Sequence, residues 1–396
     1  MRLLTYLLAF ALVLGAAQAR PLLVWTPFDG PAYATLERDV SAFAELFDVP
    51  VELERHDLAD VLQRLRSGAD GAPVPDAIVG MPHEQAADVA ASGLLRDLSG
   101  LATDAFLDDL APSARIAFEA DGALVGLPLS VAGPALLYDR ARIDAPPATY
   151  DAWVELAERL ADADPDVDGL TFDAENLYFA FGWLATHGGY LFGEGPDGRL
   201  RTDDVGLDSD GAVRGVRALR ALRFEHGQIP SGTDYARATS RFRSGAAAMT
   251  IDGPWAVAPA RRAGVDVGVA PLPPLADGTP WTGFMTVDGV VVPSAGATGT
   301  EIANLVKWLV RSEAQGDYAA EAERVPASRS AGSSDRVGPE IRGFAVALHD
   351  ARPIPTVPEM GRVWGPVERA LQRILDDPES DVRAELERAA RTVRGE

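Results

Sequence analysis

The chain has 396 residues, a formal net charge of −23, no cysteine and five histidines. Its length is enough for about two or three domains, and 47% apolar with 24% charged residues is the balance of an ordinary globular protein. The acidic balance argues against nucleic acid as a partner, because phosphate binding needs clustered Lys and Arg. A single lysine, Lys307, leaves no G-x-x-x-x-G-K phosphate loop, and the lack of cysteine excludes disulfides, thiolate nucleophiles, zinc ribbons, iron–sulfur clusters and a lipid-modified N-terminal Cys.

Arg2 precedes an apolar run, Leu3 to Gly15, that closes on Ala17-Gln18-Ala19. A basic start, a short apolar segment and a small-x-small site read as a secretory signal peptide over residues 1–19, with a mature chain starting at Arg20. The run is shorter than the roughly 20 residues of a spanning helix. Pro21 to Trp25 reads as a buried strand, and Leu36, Val40, Phe43 and Phe47 at helical spacing predict a helix after it. Val51 to Leu53 predicts a second strand. Asp57 is placed to cap a helix carrying Leu58, Leu62 and Leu65, Pro75 to Gly80 predicts a third strand, and a helix ends at Gly93. This alternation implies a doubly wound, mostly parallel α/β sheet.

The pattern then changes. Gly126–Val131 and Ala135–Tyr138 read as strands, and Tyr150–Ala163 as a helix with Trp153, Leu156 and Leu160 on one face. Helices are expected at 210–226, stopped by Gly227, and at 234–244. Val265–Ala270 and Val287–Val292 are strand candidates. Ile302–Val310, Gly361–Leu375 and Asp381–Arg394 are helical. There is no internal repeat.

Catalytic motifs are missing. His83-Glu84 begins like the zinc helix H-E-x-x-H, but Ala87 stands where the second His must be, and His56, His187, His226 and His349 show no ligand spacing. There is no G-x-S-x-G elbow. A glycosidase carboxylate pair is not excluded by composition. Asp164, Asp166, Asp168, Gly169 and Glu175 fit the calcium-loop pattern D-x-[DN]-x-[DN]-G-x5-E, which places oxygen ligands around a sharp turn. The same carboxylates also read as a solvated acidic turn closing the helix before them. Aromatic residues fall at element ends: Tyr178-Phe179 after the polar loop 173–176, Trp255 after Asp252-Gly253-Pro254, and Trp364 after a Pro-rich segment, 353–358. Flat ring faces beside carboxylates and amides are the composition of a sugar site.

At these residues the chain resembles the maltose-binding protein family, the extracellular sugar-binding subunits of ABC importers. The likeness runs in order through Leu23-Val24-Trp25 with Asp29, Pro75-Asp76 to Ser92-Gly93-Leu94-Leu95, Leu127-Pro128 to Tyr138-Asp139, and Tyr178-Phe179 with Gly188-Gly189-Tyr190. Its most specific piece is Thr233-Asp234-Tyr235, Phe242, Gly245 and Ala248 to Trp255, followed by Pro355, Pro358, Met360 and Trp364. The resemblance implies an α/β, two-lobed periplasmic-binding-protein fold, with mixed, mostly parallel sheets flanked by helices and a ligand cleft between lobes. One lobe would hold residues 20–130 plus about 286–328, the other about 131–285 plus 329–396.

The resemblance also implies a ligand site. It assigns sugar contacts to Phe28, Asp29, Glu84, Glu175, Asn176, Tyr178, Phe179, Trp255 and Trp364, with the two tryptophans stacking. Several positions depart from the family: Gly30 stands for a Lys, Ala132 and Asn176 for Glu, Gly365 for a Tyr and Glu368 for an Arg, and the 80–85 segment lacks a Trp. The implied function is capture of a gluco-oligosaccharide or disaccharide (maltose or maltodextrin, trehalose or a related glucoside) and its delivery to a membrane permease. The protein would be a periplasmic, soluble monomer without a lipid anchor, catalytic residues or cofactor, calcium apart. The alternatives are a non-sugar solute on the same fold and an exported glycoside hydrolase.

Overall fold

The computed structural model describes residues 20–67, 74–120, 122–196 and 199–396; the leader read at residues 1–19 lies outside them. Strands Leu22–Thr26, Val51–Arg55 and Ala77–Pro82 pair in parallel, with Val24 opposite both Leu53 and Ala77. Helices Gly30–Phe47 and Leu58–Arg66 connect them, as the alternation predicts. Leu36, Val40 and Phe43 are buried on one face of the first helix, while Phe47 is partly exposed at its end.

The rest of this sheet is antiparallel apart from the short Arg352–Pro353, which runs parallel to Phe284–Val291. Phe284–Val291 lies between Ala77–Pro82 and Leu127–Ala132, and Val325–Pro326 covers the far edge. A second, four-stranded sheet runs Val267–Ala270, Ala135–Asp139, Ala247–Asp252, Asp168–Thr171, with only the last pair parallel. The sheets are therefore mixed, with more antiparallel pairing than the N-terminal alternation implies. The strands that arrive from the other sheet, Ala135–Asp139 and Phe284–Val291, run against the strands on either side of them in the sheet they join.

The backbone passes between the sheets at Gly133-Pro134 and again between Ala270 and Phe284. A third passage precedes helix Pro339–Ala347, which already packs on Val267–Ala270 of the second sheet; beyond it Arg352–Pro353 returns to pair with Phe284-Met285. These passages pack on one another: a Cβ on Gly133 would lie 2.5 Å from Leu348 and 2.6 Å from the Phe284 carbonyl. Beyond the third passage, helices Trp364–Asp376 and Val382–Arg394 pack against helix Asp210–Phe224 in the core of the second lobe. The core of the first lobe includes Leu36, Phe43, Leu305, Leu309 and Tyr318.

Asp76, fully buried, joins three segments of the first lobe. It accepts both guanidinium nitrogens of Arg20 at 2.7 and 2.8 Å, and the backbone N–H groups of Leu23 at 2.8 Å and Ala297 at 2.5 Å. Burial alone would raise this carboxyl, but these donors more than offset it and hold it below the ordinary range. A depressed pKa in the folded state contributes stability above the unfolded value that is lost as pH falls through the folded value. Asp76→Asn removes an acceptor from buried N–H groups, a loss of about 1–3 kcal/mol. The melting temperature should drop at pH 7, and the gap to the unmodified protein should narrow as pH falls below the ordinary carboxylate range. An equal gap at both pH values would contradict this.

Candidate ligand cleft

Asp29 follows the carboxyl end of strand Leu22–Thr26, and His83-Glu84 follows that of Ala77–Pro82. In the second sheet the parallel strands Asp168–Thr171 and Ala247–Asp252 likewise end together, and the segments after them carry Tyr178 and Trp255. Ligand-binding groups in open α/β sheets sit beyond the carboxyl ends of strands. Tyr178 brings the two edges into register: its hydroxyl lies 3.5 Å from the Ala132 carbonyl of the first sheet.

An aromatic row runs along this junction. Ring centroids are 6.2 Å apart from Trp255 to Tyr178, 6.5 Å from Tyr178 to Phe284, and 5.9 Å from Phe284 to Trp364. Phe284 also stacks on Phe181 at 3.7 Å. Trp255 is 45% exposed, the most open aromatic ring of the row. Its indole lies over Gly253, where a Cβ would come within 2.3 Å of the ring. Its Nε1–H donates to the Tyr235 hydroxyl at 2.9 Å, and that hydroxyl donates to Asp252 Oδ1 at 3.4 Å. Phe179 stacks on Tyr235 at 5.7 Å and an interplanar angle of 9°. Burial raises Asp252 to about 7, against the opposing effect of the Gly253 N–H and of Trp255 and Tyr235 beside it.

Tyr235 is placed by the loop before it. Ile229 holds φ at 57°, a strained value for a β-branched residue, and Arg223 binds its carbonyl at 3.1 Å. Asp234 then caps helix Tyr235–Arg243 through the Arg237 N–H at 2.8 Å.

Carboxylates face the row from the first lobe. Burial raises the Tyr178 hydroxyl, and Glu84, Asp288 and Asp252 push it the same way. Asp288 pairs with Arg324, which also donates to Ser130 Oγ at 3.1 Å. His83 is fully buried; its Nδ1 accepts the Val287 N–H at 3.2 Å and its Nε2 meets the Ile354 carbonyl at 3.0 Å. Those partners assign the Nε2–H tautomer. Nδ1 then has no proton for Glu84 Oε2, 2.8 Å away, and this buried oxygen accepts no hydrogen bond from the described residues. It is a buried acceptor with no donor among the described residues, near enough to Tyr178 to act on that hydroxyl.

The other expected residues are placed differently. Asp29 is exposed, and its side chain makes no capping bond at the start of helix Gly30–Phe47. Gly30 beside it leaves open space where a side chain would be. Phe28 is only 6% exposed; its ring abuts Gly80, has the Arg324 guanidinium 4.3 Å above it and meets Tyr318 edge-on. It supports the cleft floor and offers no free face. Asn176 caps helix Leu177–Thr186 through the Tyr178 N–H at 2.9 Å, and Asp173 holds its side chain. Glu175 turns away toward Arg223, 3.5 Å distant.

The structure does not gather the carboxylates of the calcium-loop pattern. Residues 168–171 continue as a strand, Asp168 pairs with Arg241, and Glu175 is held by Arg223. Asp164 and Asp166 stay exposed at the helix end. Among the described residues no group of three or more His, Asp or Glu side chains is arranged to hold a metal ion. An acidic turn and a calcium loop share composition; the difference here is that Asp168 and Glu175 each face an arginine.

Tyr235, Asp252, Phe284 and Asp288 were not singled out from sequence as site residues. The first two had a signal: an Asp just before Gly-Pro-Trp, and a Tyr just after a capping Asp. Phe284 and Asp288 lie on a strand that reads as ordinary core.

Residues 40–339 match the family described as bacterial extracellular solute-binding protein, and the chain belongs to that family. It is 28% identical over 372 residues to the galactooligosaccharide-binding protein of Bacillus subtilis (strain 168), covering 90% of this chain and 85% of that relative. The solved Thermus thermophilus maltotriose binding protein, bound with maltotriose, is 30% identical with a TM-score of 0.78, over 94% of this chain and 99% of that one. A cyclo/maltodextrin-binding protein complexed with maltotetraose reaches a TM-score of 0.88 at 26% identity, over 96% and 98%. The two-lobed fold is thus shared across nearly the whole described chain. No helix among the described residues is long and apolar enough to cross a membrane.

Gly253 is the residue that lets Trp255 lie flat. Gly253→Ala should lift the exposed indole without unfolding the core. Acrylamide quenching of tryptophan fluorescence should rise, because the added Cβ takes the place that the ring now fills. Unchanged quenching would mean that the close approach is not needed.

Proposed function

We propose that this chain captures a malto-oligosaccharide-type glucan for an ABC importer. The observation that carries the reading is the aromatic row ending in exposed Trp255, faced by the unpartnered Glu84 oxygen. Pyranose rings have apolar faces that stack and hydroxyls that donate to carboxylates. The names of the solved relatives, with maltotriose and maltotetraose bound, support this ligand class.

The lobes that close on the sugar are residues 20–130 with about 286–328, and about 131–285 with 329–396. Asp29 and Glu84 come from the first, Tyr178, Trp255 and Trp364 from the second. Closure about the three passages traps the sugar, and the closed form is what a membrane permease accepts. The protein acts outside the cytoplasmic membrane, as a soluble monomer, and returns its sugar unchanged. A second reading, a galacto-oligosaccharide, is favoured by the Bacillus relative.

A thermal-shift panel of maltose, maltotriose, trehalose, a galacto-oligosaccharide and spermidine separates these readings. A ligand at 100 times its dissociation constant stabilises by about 2.7 kcal/mol. Maltotriose should give the largest shift and should be recovered intact by chromatography. A shift with the galacto-oligosaccharide alone would favour the second reading, and a shift with spermidine alone would refute both. Trp255→Ala should weaken maltotriose binding at least tenfold, about 1.4 kcal/mol. Undiminished affinity would remove Trp255 from the site.

A further inference from the structure

We propose that Asp252 is a positioning residue that couples sugar affinity to pH, because its ionised carboxylate anchors the relay that orients Trp255. This deepens the proposed function and rests on the sugar stacking on that indole.

The direction of the relay follows from what each group can do. An indole Nε1–H only donates, so the Tyr235 oxygen, 2.9 Å away, accepts. The single Tyr235 proton is then free to go to Asp252 Oδ1, which also takes the Gly253 N–H at 2.7 Å. Asp252 therefore has to act as an acceptor. An ionised carboxylate accepts more strongly than a neutral carboxyl. A protonated Asp252 weakens the hold on Tyr235 and adds a donor in a buried place. Trp255, nearly half exposed, has little else to fix its angle: Gly253 lies beneath the ring and Tyr178 stands at 6.2 Å.

The surroundings leave this carboxylate without a counter-ion. Helix Tyr235–Arg243 presents Tyr235, with Arg243 acting on that phenol. Helix Leu177–Thr186 presents Tyr178, which Glu84 and Asp288 of the other lobe also face. The neighbouring strand sets Ala135 opposite Asp252, and Thr171 lies opposite Thr250 on the other side. No Arg, Lys or His of the described residues forms an ion pair with Asp252. Burial without a cation raises it to about 7, so its charge changes near neutrality. If the sugar-bound cleft prefers the ionised form, binding releases a proton and affinity rises with pH.

The test is the dissociation constant for maltotriose between about pH 5.5 and 8.5. A linkage of one pK unit predicts binding about tenfold weaker at the acidic end. Asp252→Asn is nearly isosteric and cannot ionise, so its affinity should be flat with pH. Tyr235→Phe keeps the stacked ring and cuts the relay; it should flatten the profile as well, and serves should Asp252→Asn fail to fold. A flat profile in the unmodified protein, or a full slope in either variant, overturns the proposal. If maltotriose binds at no pH, the sugar reading fails on its own, and the ligand-free protein decides. Tryptophan fluorescence, taken as the difference from Trp255→Phe, should then change between about pH 6 and 8 and not in Asp252→Asn or Tyr235→Phe. An unchanging difference signal overturns the proposal.

Discussion

Two passages of backbone and the segment after helix Pro339–Ala347 meet at Gly133, and the close packing that this glycine allows determines how the lobes are joined. With no side chain there, the Phe284 carbonyl and Leu348 approach within van der Waals range, and Arg352 can donate to the Gly283 carbonyl at 2.9 Å. Phe284 begins a strand of the first sheet while its ring stacks on Phe181 of the second lobe. A larger residue at 133 would wedge these passages apart. The joint is thus thin in backbone and dense in side-chain contact, the construction expected of two bodies that move about a few residues.

The cleft follows from that joint. Because the lobes meet beyond the carboxyl ends of their parallel strands, the segments after those strands face one another. Each lobe contributes a different chemistry. The first supplies carboxylates, with Asp288 neutralised by Arg324 and Glu84 Oε2 left without a donor. The second supplies rings, held by packing beneath (Phe179, Phe181) and by the Trp255–Tyr235–Asp252 relay at the surface. An unpaired buried acceptor is costly until something donates to it. A ring that is 45% exposed leaves apolar surface in water. Both features favour a ligand with hydroxyls on its rim and apolar faces.

Much of the fold was legible in the sequence because the helices carry strong periodicity and clear ends. Tyr150–Ala163 appears with the predicted bounds, and Gly227 follows helix Asp210–Phe224 with φ at 65°. Strand direction was not legible, since periodicity does not say from which sheet a strand arrives. At the cleft, residue type pointed to the aromatic row but not to what each polar group already does. Asn176 and Glu175 have the right chemistry for a sugar contact, yet one caps a helix and the other pairs with Arg223. Asp168 fits a metal-ligand pattern, yet Arg241 pairs with it. A single sequence does not reveal a partner that arrives from 73 residues away.

The most direct test of this account is a crystal structure of the protein grown with maltotriose. The account predicts one glucose ring stacked on the exposed face of Trp255 and a sugar hydroxyl donating to Glu84 Oε2, with the two lobes closed about Gly133. Maltotriose bound elsewhere, or bound in the cleft with Trp255 turned away and Glu84 still without a donor, would contradict it.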